Sequence, residues 1–330
     1  MGLPRSIVIL GPTAGGKSTL AVSLAEQLGG EILSADSMQI YRHMDAGTAK
    51  PSAAMRHRVP HHLIDVVEPT DRFTVADWLQ RADPLIENLA EAGKRPIIVG
   101  GTNLYIKALL EGMFDGPTMD PGLRTQLEGE TTETLQERLG KVDPESTARI
   151  HRNDRRRLIR ALEVYELSGQ PISRWQTQWN KGHDAGRDQS PGLHGPANNP
   201  LLIGLRWSTE TINQRINFRV KAMFHPSKFD PEVLNELNIR QSLPDEVRQL
   251  TERSMMGPQS SEAIGYKQVI MYFKSRISLD EAFEQTKIQT RRFARQQRTW
   301  LRRFPNIHWI EVSDLPSDQV FTAAISIVNN

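Results

Sequence analysis

Ser6-Ile7-Val8-Ile9-Leu10 leads without a break into Gly11-Pro12-Thr13-Ala14-Gly15-Gly16-Lys17-Ser18, and a helical pattern begins at Thr19. An apolar, β-prone run, a glycine-rich turn ending in Lys-Ser and an amphipathic helix make a complete phosphate-binding loop in the context that loop needs. The glycines let the backbone turn tightly enough for successive N–H groups to converge on phosphate oxygens, and the helix aims its positive end at the same point. Lys17 adds a full charge, and Ser18 is placed to ligate Mg2+ shared with the phosphates. All eight positions from Gly11 to Ser18 are therefore candidate contacts of a diphosphate. Which phosphate compound is held stays open here, because nucleoside triphosphates are the usual ligands of such loops.

Working outward, Leu20, Leu24 and Leu28 repeat along one helix face until Gly29-Gly30 stops it, and Glu31 to Ala35 reads as a second strand. That strand runs into Asp36-Ser37-Met38-Gln39. In an open parallel sheet ligands sit at the carboxyl ends of strands, so Asp36 is expected beside the phosphate loop. A turn-capping aspartate is the plainer alternative for the same residue. Residues 48–69 read as loop, and the pair His61-His62 with Asp65 is taken as structural, since adjacent side chains diverge and no third ligand is suitably spaced. A helix is expected from Phe73 to Ala92, with Pro84 inside it. It precedes a buried strand ending in Gly100-Gly101-Thr102, where many phosphate-loop NTPases carry a magnesium-orienting aspartate.

The character changes at about residue 117. Charged helical text runs to Gly169, and the Gly, Pro and Asn-rich tract from Lys181 to about residue 198 reads as an exposed connection. Within the helical part, His151 to Arg160 holds five arginines against one aspartate, an imbalance that a solvated face does not call for. Strand text returns at Leu201 to Leu205. On the next helix Ile212, Ile216, Val220 and Met223 face inward, leaving Arg215 and Arg219 on another side, where either could clamp a phosphate. A second basic stripe follows: Lys287, Arg291, Arg292, Arg295, Arg298, Arg302 and Arg303, with no acidic residue from Gln285 to Arg303. Two such clusters suit a polyanion held between two lobes.

The chain has 330 residues, 38% hydrophobic and 24% charged, enough for a sizeable core and a smaller second unit. Net charge is only +2, so basic surface must come from uneven placement. There is no cysteine, which excludes disulfides, thiolate zinc sites and a cysteine nucleophile. No apolar run has membrane-spanning length, and the first core strand starts too early for a cleavable signal, so a cytoplasmic protein is expected.

Taken together, the phosphate loop, Asp36-Ser37-Met38-Gln39-Ile40-Tyr41, Gly47-Thr48-Ala49-Lys50-Pro51, Pro60-His61-His62-Leu63-Ile64-Asp65, Val99-Gly100-Gly101-Thr102-Asn103-Leu104-Tyr105, Asn153-Asp154 with its arginines and Ala263-Ile264-Gly265-Tyr266-Lys267 resemble the tRNA dimethylallyltransferases, in their compact bacterial form. The pieces are individually weak, but their joint order from residue 7 to about 310 is specific. Two departures, the long tract 181–200 and the residues 225–246 after the helix of Arg219, fall outside the phosphate and acceptor motifs.

The resemblance implies an α/β fold, a P-loop NTPase-like parallel sheet flanked by helices with an inserted, mainly helical lobe. Its domains are then residues 1–116 as the first part of the core, 117–198 as the tRNA-binding lobe with its flexible connection, and 199–330 as the remaining core with the basic helix. It implies transfer of a dimethylallyl group from dimethylallyl diphosphate to N6 of adenosine 37 in the anticodon stem-loop of tRNA, by a monomer using Mg2+. Lys17, the loop and Arg219 would hold the diphosphate, with Mg2+ on Ser18. Asp36, Ser37, Met38, Gln39, Thr102, Arg124, Arg156, Arg157, Leu158, Ile159, Arg160, Arg295 and Arg298 would meet tRNA. Asp36 is the candidate base, because an adenine amine whose lone pair is conjugated with the ring needs a carboxylate to accept its proton; Thr102 and Lys17 complete the catalytic set. Two other readings fit the phosphate loop: a small-molecule or nucleotide kinase that binds ATP, with the arginines at 155–160 as a lid, and a nucleic-acid-binding protein that uses the loop as a switch.

Overall fold

The computed structural model describes residues 5–113, 116–176, 199–313 and 315–330. The tract expected as an exposed connection, 181–198, lies outside the described residues. In chain order the first elements are β1 (Ile7–Leu10), α1 (Lys17–Leu28), β2 (Gly30–Ser34), α2 (Ala53–Arg58), β3 (His61–His62), α3 (Val75–Glu91), β4 (Arg95–Val99) and α4 (Asn103–Glu111). Then come α5 (Pro121–Gly129), α6 (Thr132–Val142), α7 (Pro144–Arg149), α8 (Arg155–Ser168) and α9 (Ile172–Trp175). The chain continues through β5 (Leu201–Arg206), α10 (Thr209–Phe224), α11 (Pro231–Glu236), α12 (Leu243–Glu252), α13 (Tyr266–Phe273), α14 (Leu279–Leu301), β6 (Ile307–Glu311) and α15 (Ser317–Asn329).

Six strands form one sheet in the order β3-β2-β4-β1-β5-β6, every neighbouring pair parallel. Such a sheet is buried on both faces, which is why β1 reads as an unbroken apolar run and all four of its residues are buried. From β1 the chain builds β2 and β4 on one side and β5 on the other, and ligands bind at the carboxyl ends of strands beside such a reversal. Register makes this concrete: Ile9 pairs with Val99, and Val99 with Ser34, so the segments after β1, β2 and β4 leave the sheet along the same edge.

Three local readings are corrected. The stretch 48–69 is not all loop. Ser52 accepts from the Met55 amide and starts α2, which is too short to show a hydrophobic period, and His61-His62 adds a two-residue strand to the edge of β2. His62 Nε2 lies 2.6 Å from Glu31 Oε2. The helix after the phosphate loop begins at Lys17 instead of Thr19, so the loop lysine and serine belong to its first turn. At the end of the chain β6 and α15 went unread, although β6 pairs with β5 along five residues.

By its contacts the chain divides into two compact units, one of residues Met1–Leu109 with Leu193–Asn330 and the other of Leu110–Gly192. The second has its own core, in which Leu127, Leu135 and Leu139 pack with Leu158, Ile159, Leu162 and Val164. Leu158 and Ile159, expected among the tRNA contacts, are thus core residues whose side chains cannot reach a polyanion. They fall with Ala161 and Leu162 on the buried face of α8. Among the described residues no helix is long and apolar enough to cross a membrane.

In the first unit, the Lys50 side chain is fully buried and its ammonium donates to Tyr41 O at 2.7 Å, Asp45 Oδ1 at 2.7 Å and Asp65 Oδ1 at 2.6 Å. The carboxylates of Asp45 and Asp65 are partly exposed and Asp65 also has Arg56, so losing the ammonium costs its charge-assisted hydrogen bonds, about 1.5–3 kcal/mol. Lys50→Met is therefore expected to lower unfolding free energy by about that amount. Denaturant unfolding of the two proteins measures it, and a difference below about 1 kcal/mol would show that the cluster contributes no net stability.

Candidate active site

The phosphate loop crosses from β1 to α1 with Gly11 at φ +149°, Ala14 at +60° and Gly16 at +80°. A Cβ on Gly15 would lie 2.8 Å from Pro12 O, so the loop closes on itself too tightly for any side chain there. Two loop amides are engaged within the protein: Gly15 N–H donates to Pro12 O at 3.2 Å and Thr13 N–H to Gln297 Oε1 at 2.8 Å. The first amides of α1, from Lys17 onward, have no carbonyl partner inside a helix and carry its positive end. The converging donors are thus drawn from the later half of the loop.

Over them opens a cavity of about 630 Å³, lined by the loop from Thr13 to Thr19 together with Asp36, Arg215, Arg219 and Gln297. A second cavity of about 230 Å³ shares Thr13, Ala14, Asp36 and Arg219 with it and adds Ser37, Met38, Thr102 and the apolar Ile216, Val220 and Met223. Asp36 and Arg219 border both spaces.

Lys17 Nζ donates to Gly11 O at 3.1 Å and Pro12 O at 2.8 Å. Burial pulls its pKa down to about 8, the carboxylate of Asp36 resisting and the charge of Arg219 adding to the shift. Arg219 falls to about 10 through burial, with Asp36 again opposing and Arg215 adding to it. Two desolvated cations therefore face each other's repulsion across a site in which Asp36 answers both, a field that favours a further anion. Arg215 and Arg219 have different work. Arg215 Nε donates to Ala14 O at 2.8 Å and its guanidinium lies over the Trp207 ring at 4.8 Å, while Trp207 Nε1 donates to Gly15 O at 3.1 Å. Those two residues brace the loop. Arg219 makes no such bond to protein among the described residues and lines both cavities.

Asp36 performs the plain task and leaves room for the chemical one. Its Oδ1 accepts from Met38 N at 2.9 Å and Gln39 N at 3.3 Å, capping the turn after β2. No hydrogen bond reaches Oδ2 among the described residues. Thr102 holds the same turn, its Oγ1 accepting from Ser37 N at 2.8 Å and donating to Ser37 Oγ at 3.2 Å. Gln39 turns inward, its amide donating to Ala49 O at 3.0 Å and accepting from Ser34 Oγ. Ser37 and Met38 line the smaller cavity.

The basic positions sort by partner. In the second unit Arg160 donates to Glu163 Oε2 at 2.7 Å and Pro117 O at 2.8 Å, and Arg124 lies 3.8 Å from the same buried carboxylate. Both pin the lobe's interior. Arg156 and Arg157 are exposed. On α14 Arg295 is exposed, whereas Arg298 donates to Thr209 Oγ1 at 3.0 Å.

Sequence reading missed Gln297, Trp207 and Glu246, the partner of Tyr266. Glu246 is buried and accepts from Tyr266 at 2.5 Å and from the amides of Asp45 and Ala46, fixing the loop that ends in Gly47. Gln297 had a legible signal, since it interrupts the buried stripe of α14 between Ala294 and Leu301.

A model of the IPP transferase family matches residues 39–304, and one described as isopentenyl transferase matches residues 4–61. The tRNA dimethylallyltransferase of Geobacter sulfurreducens is 44% identical over 314 residues, covering 93% of this chain and 92% of the relative. Among solved structures, the tRNA isopentenylpyrophosphate transferase of Bacillus halodurans aligns with a TM-score of 0.67 at 35% identity, over 98% of this chain and 97% of that one. A eukaryotic dimethylallyltransferase acting on tRNA aligns at 0.76 and 25% identity, over 98% of this chain and 78% of the other. Together with a loop followed by no strand-end carboxylate on β4, these likenesses set the kinase reading aside: the chain belongs to the IPP transferase family, the family of the tRNA dimethylallyltransferases.

Proposed function

We propose that this chain transfers the dimethylallyl group of dimethylallyl diphosphate to N6 of adenosine 37 in the anticodon stem-loop of tRNA. The observation that carries this is the desolvated cation pair Lys17 and Arg219, set with the amide end of α1 on one side of Asp36 and the apolar-walled cavity on another. The donor's diphosphate lies on the loop amides with Lys17 and Arg219. N6 attacks the allylic carbon, the C–N bond forms as the C–O bond breaks, the bonding pair leaves with diphosphate, and Asp36 Oδ2 takes the N6 proton. Thr102 keeps the turn bearing Asp36 in place. An adenine must leave its stack to enter such a site.

Ser18 lines the larger cavity from the first turn of α1. One hydroxyl beside diphosphate oxygens and water is a donor set that Mg2+ accepts. Ser18 would hold the ion, which would neutralise charge on the leaving diphosphate.

Radiolabelled dimethylallyl diphosphate incubated with unmodified tRNA is expected to label the adenosine. ATP hydrolysis or phosphorylation of a metabolite, with the prenyl donor untouched, would overturn the transferase. On the RNA side, the exposed arginines of α14 and of α8 meet the phosphates of the backbone. Arg295→Ala is expected to make the slope of log K against log salt for tRNA binding shallower by roughly 0.7–0.9 for each phosphate that the arginine neutralises. Arg298→Ala should do less, because its guanidinium already serves Thr209. Diphosphate affinity should not move in either variant, and an unaltered salt slope for Arg295→Ala would remove the stripe from the tRNA surface.

A further inference from the structure

Gln297 sits on α14, the helix whose exposed side carries Arg295, yet its own side chain is only 1% exposed. Among the described residues it makes two hydrogen bonds, both to backbone at the cavity's edge. Oε1 accepts from the Thr13 amide in the phosphate loop at 2.8 Å, and Nε2 donates to Gly101 O, just beyond β4, at 2.8 Å. The amide can satisfy this pair of partners in one orientation only, because one is a donor and the other an acceptor. Its surroundings are crowded: a Cβ on Gly101 would stand 2.5 Å from Gln297 Nε2 and 3.7 Å from Asp36 Oδ2. The carboxamide and the carboxylate proposed as the base thus line the same cavity at the Gly101 corner, and the carboxamide adds no charge there.

We propose that Gln297 is a positioning residue for the transfer reaction. It fixes the phosphate loop, through Thr13, at a set distance from the Gly101-Thr102 corner that carries the turn of Asp36. Thr13 and Asp36 border both cavities, so the spacing that Gln297 sets is the spacing between the leaving diphosphate and the base. Small errors in such a spacing are costly, since transfer depends on the reacting groups being held in line. A residue that only filled space could be replaced by an isosteric apolar side chain. Gln297 cannot, because both backbone partners would then be buried without a hydrogen bond.

The inference rests on the transferase reading for its kinetic arm alone; binding of inorganic diphosphate with Mg2+ reports on the loop whatever the donor is. Three variants separate the possibilities. Gln297→Met keeps the shape and removes both hydrogen bonds. It is expected to raise KM for dimethylallyl diphosphate and Kd for inorganic diphosphate by roughly tenfold and to lower kcat by tenfold to a hundredfold. KM for tRNA should stay near the parent value, and the thermal midpoint should fall by the few degrees that two unsatisfied backbone groups cost. Gln297→Glu keeps the acceptor and regains the donor only when protonated; burial, Asp36 and the Gly101 carbonyl favour the acid, whereas Lys17, Arg215 and Arg219, which line the same cavity, favour the carboxylate, so the donor returns as the medium supplies the proton. Its activity relative to the parent should therefore rise as pH falls, while the deficit of Gln297→Met stays flat. Gln296→Met, at the exposed neighbour, should behave as the parent enzyme. Unchanged diphosphate affinity and unchanged kcat in Gln297→Met would overturn the proposal. So would a Gln297→Glu profile parallel to that of the parent, a result that remains readable if Gln297→Met fails to fold.

Discussion

Asp36→Asn is expected to lower single-turnover transfer by roughly two to four orders of magnitude, the span of a well-placed general base. The substitution preserves the turn, because an Asn side-chain oxygen can still accept from the amides of Met38 and Gln39 as Oδ1 does now. What it removes is the second oxygen's capacity to take a proton. Affinities for tRNA, the prenyl donor and Mg2+ should accordingly change little. An outer-sphere anchor for the metal would behave otherwise: the loss would appear as a raised Mg2+ requirement and disappear at high metal concentration. Complete recovery of Asp36→Asn by added Mg2+ would therefore assign the residue to the metal.

The double duty of Asp36 also shows why the sequence was informative at this edge of the sheet. Strand, glycine-rich turn and helix are contiguous between residues 6 and 28, so local text suffices to place the phosphate loop. Parallel order then puts the residue after β2 on the same edge, and the register of Ser34 with Val99 and of Val99 with Ile9 brings Thr102 there too. The separate roles of Arg215 and Arg219 could not be read in this way. Both sit on the same face of α10, and only the packing of Trp207 against the loop decides which one braces Ala14 and which borders both cavities.

Partners, local as well as distant, explain most of what the sequence left unread. Arg160 belongs to a strongly basic decapeptide and looks like a phosphate ligand, but Glu163 is buried one turn away and needs a cation. Leu158 and Ile159 were assigned to tRNA with their arginine neighbours although their period is that of the lobe's core. Gln297 lies 284 residues from Thr13 in sequence, a separation at which no periodicity connects two positions. Its one trace was a polar side chain on an apolar stripe. β6 was passed over because Ile307-His308-Trp309-Ile310-Glu311 lies at the sheet edge with only Ile310 buried and so carries no unbroken apolar run; its pairing with β5 identifies it as a strand.

Lys17→Ala is expected to lower kcat/KM by roughly a hundredfold to a thousandfold near neutral pH, the loss usually seen when one preformed partner of a developing anion is removed. The pH dependence should distinguish a charge effect from a packing effect. Burial, with Arg219 assisting and Asp36 opposing, brings Lys17 from 10.5 to about 8. Between those two values the unfolded chain binds more protons at this residue than the folded one, so the ligand-free protein gains stability from it as pH rises through that window. Binding has the opposite sign. A bound diphosphate favours the ammonium, so above about 8 the complex must take up a proton and donor affinity falls as pH increases, by up to about one log unit per pH unit. Alanine cannot take up that proton. Donor-binding curves for the parent enzyme and Lys17→Ala should therefore lie far apart at about pH 7 and approach one another above about pH 9, with tRNA affinity equal in both throughout. Parallel curves would mean that Lys17 acts through its bonds to Gly11 O and Pro12 O, as a brace of the loop, and that the charge on the diphosphate is answered by Arg219 and the first turn of α1.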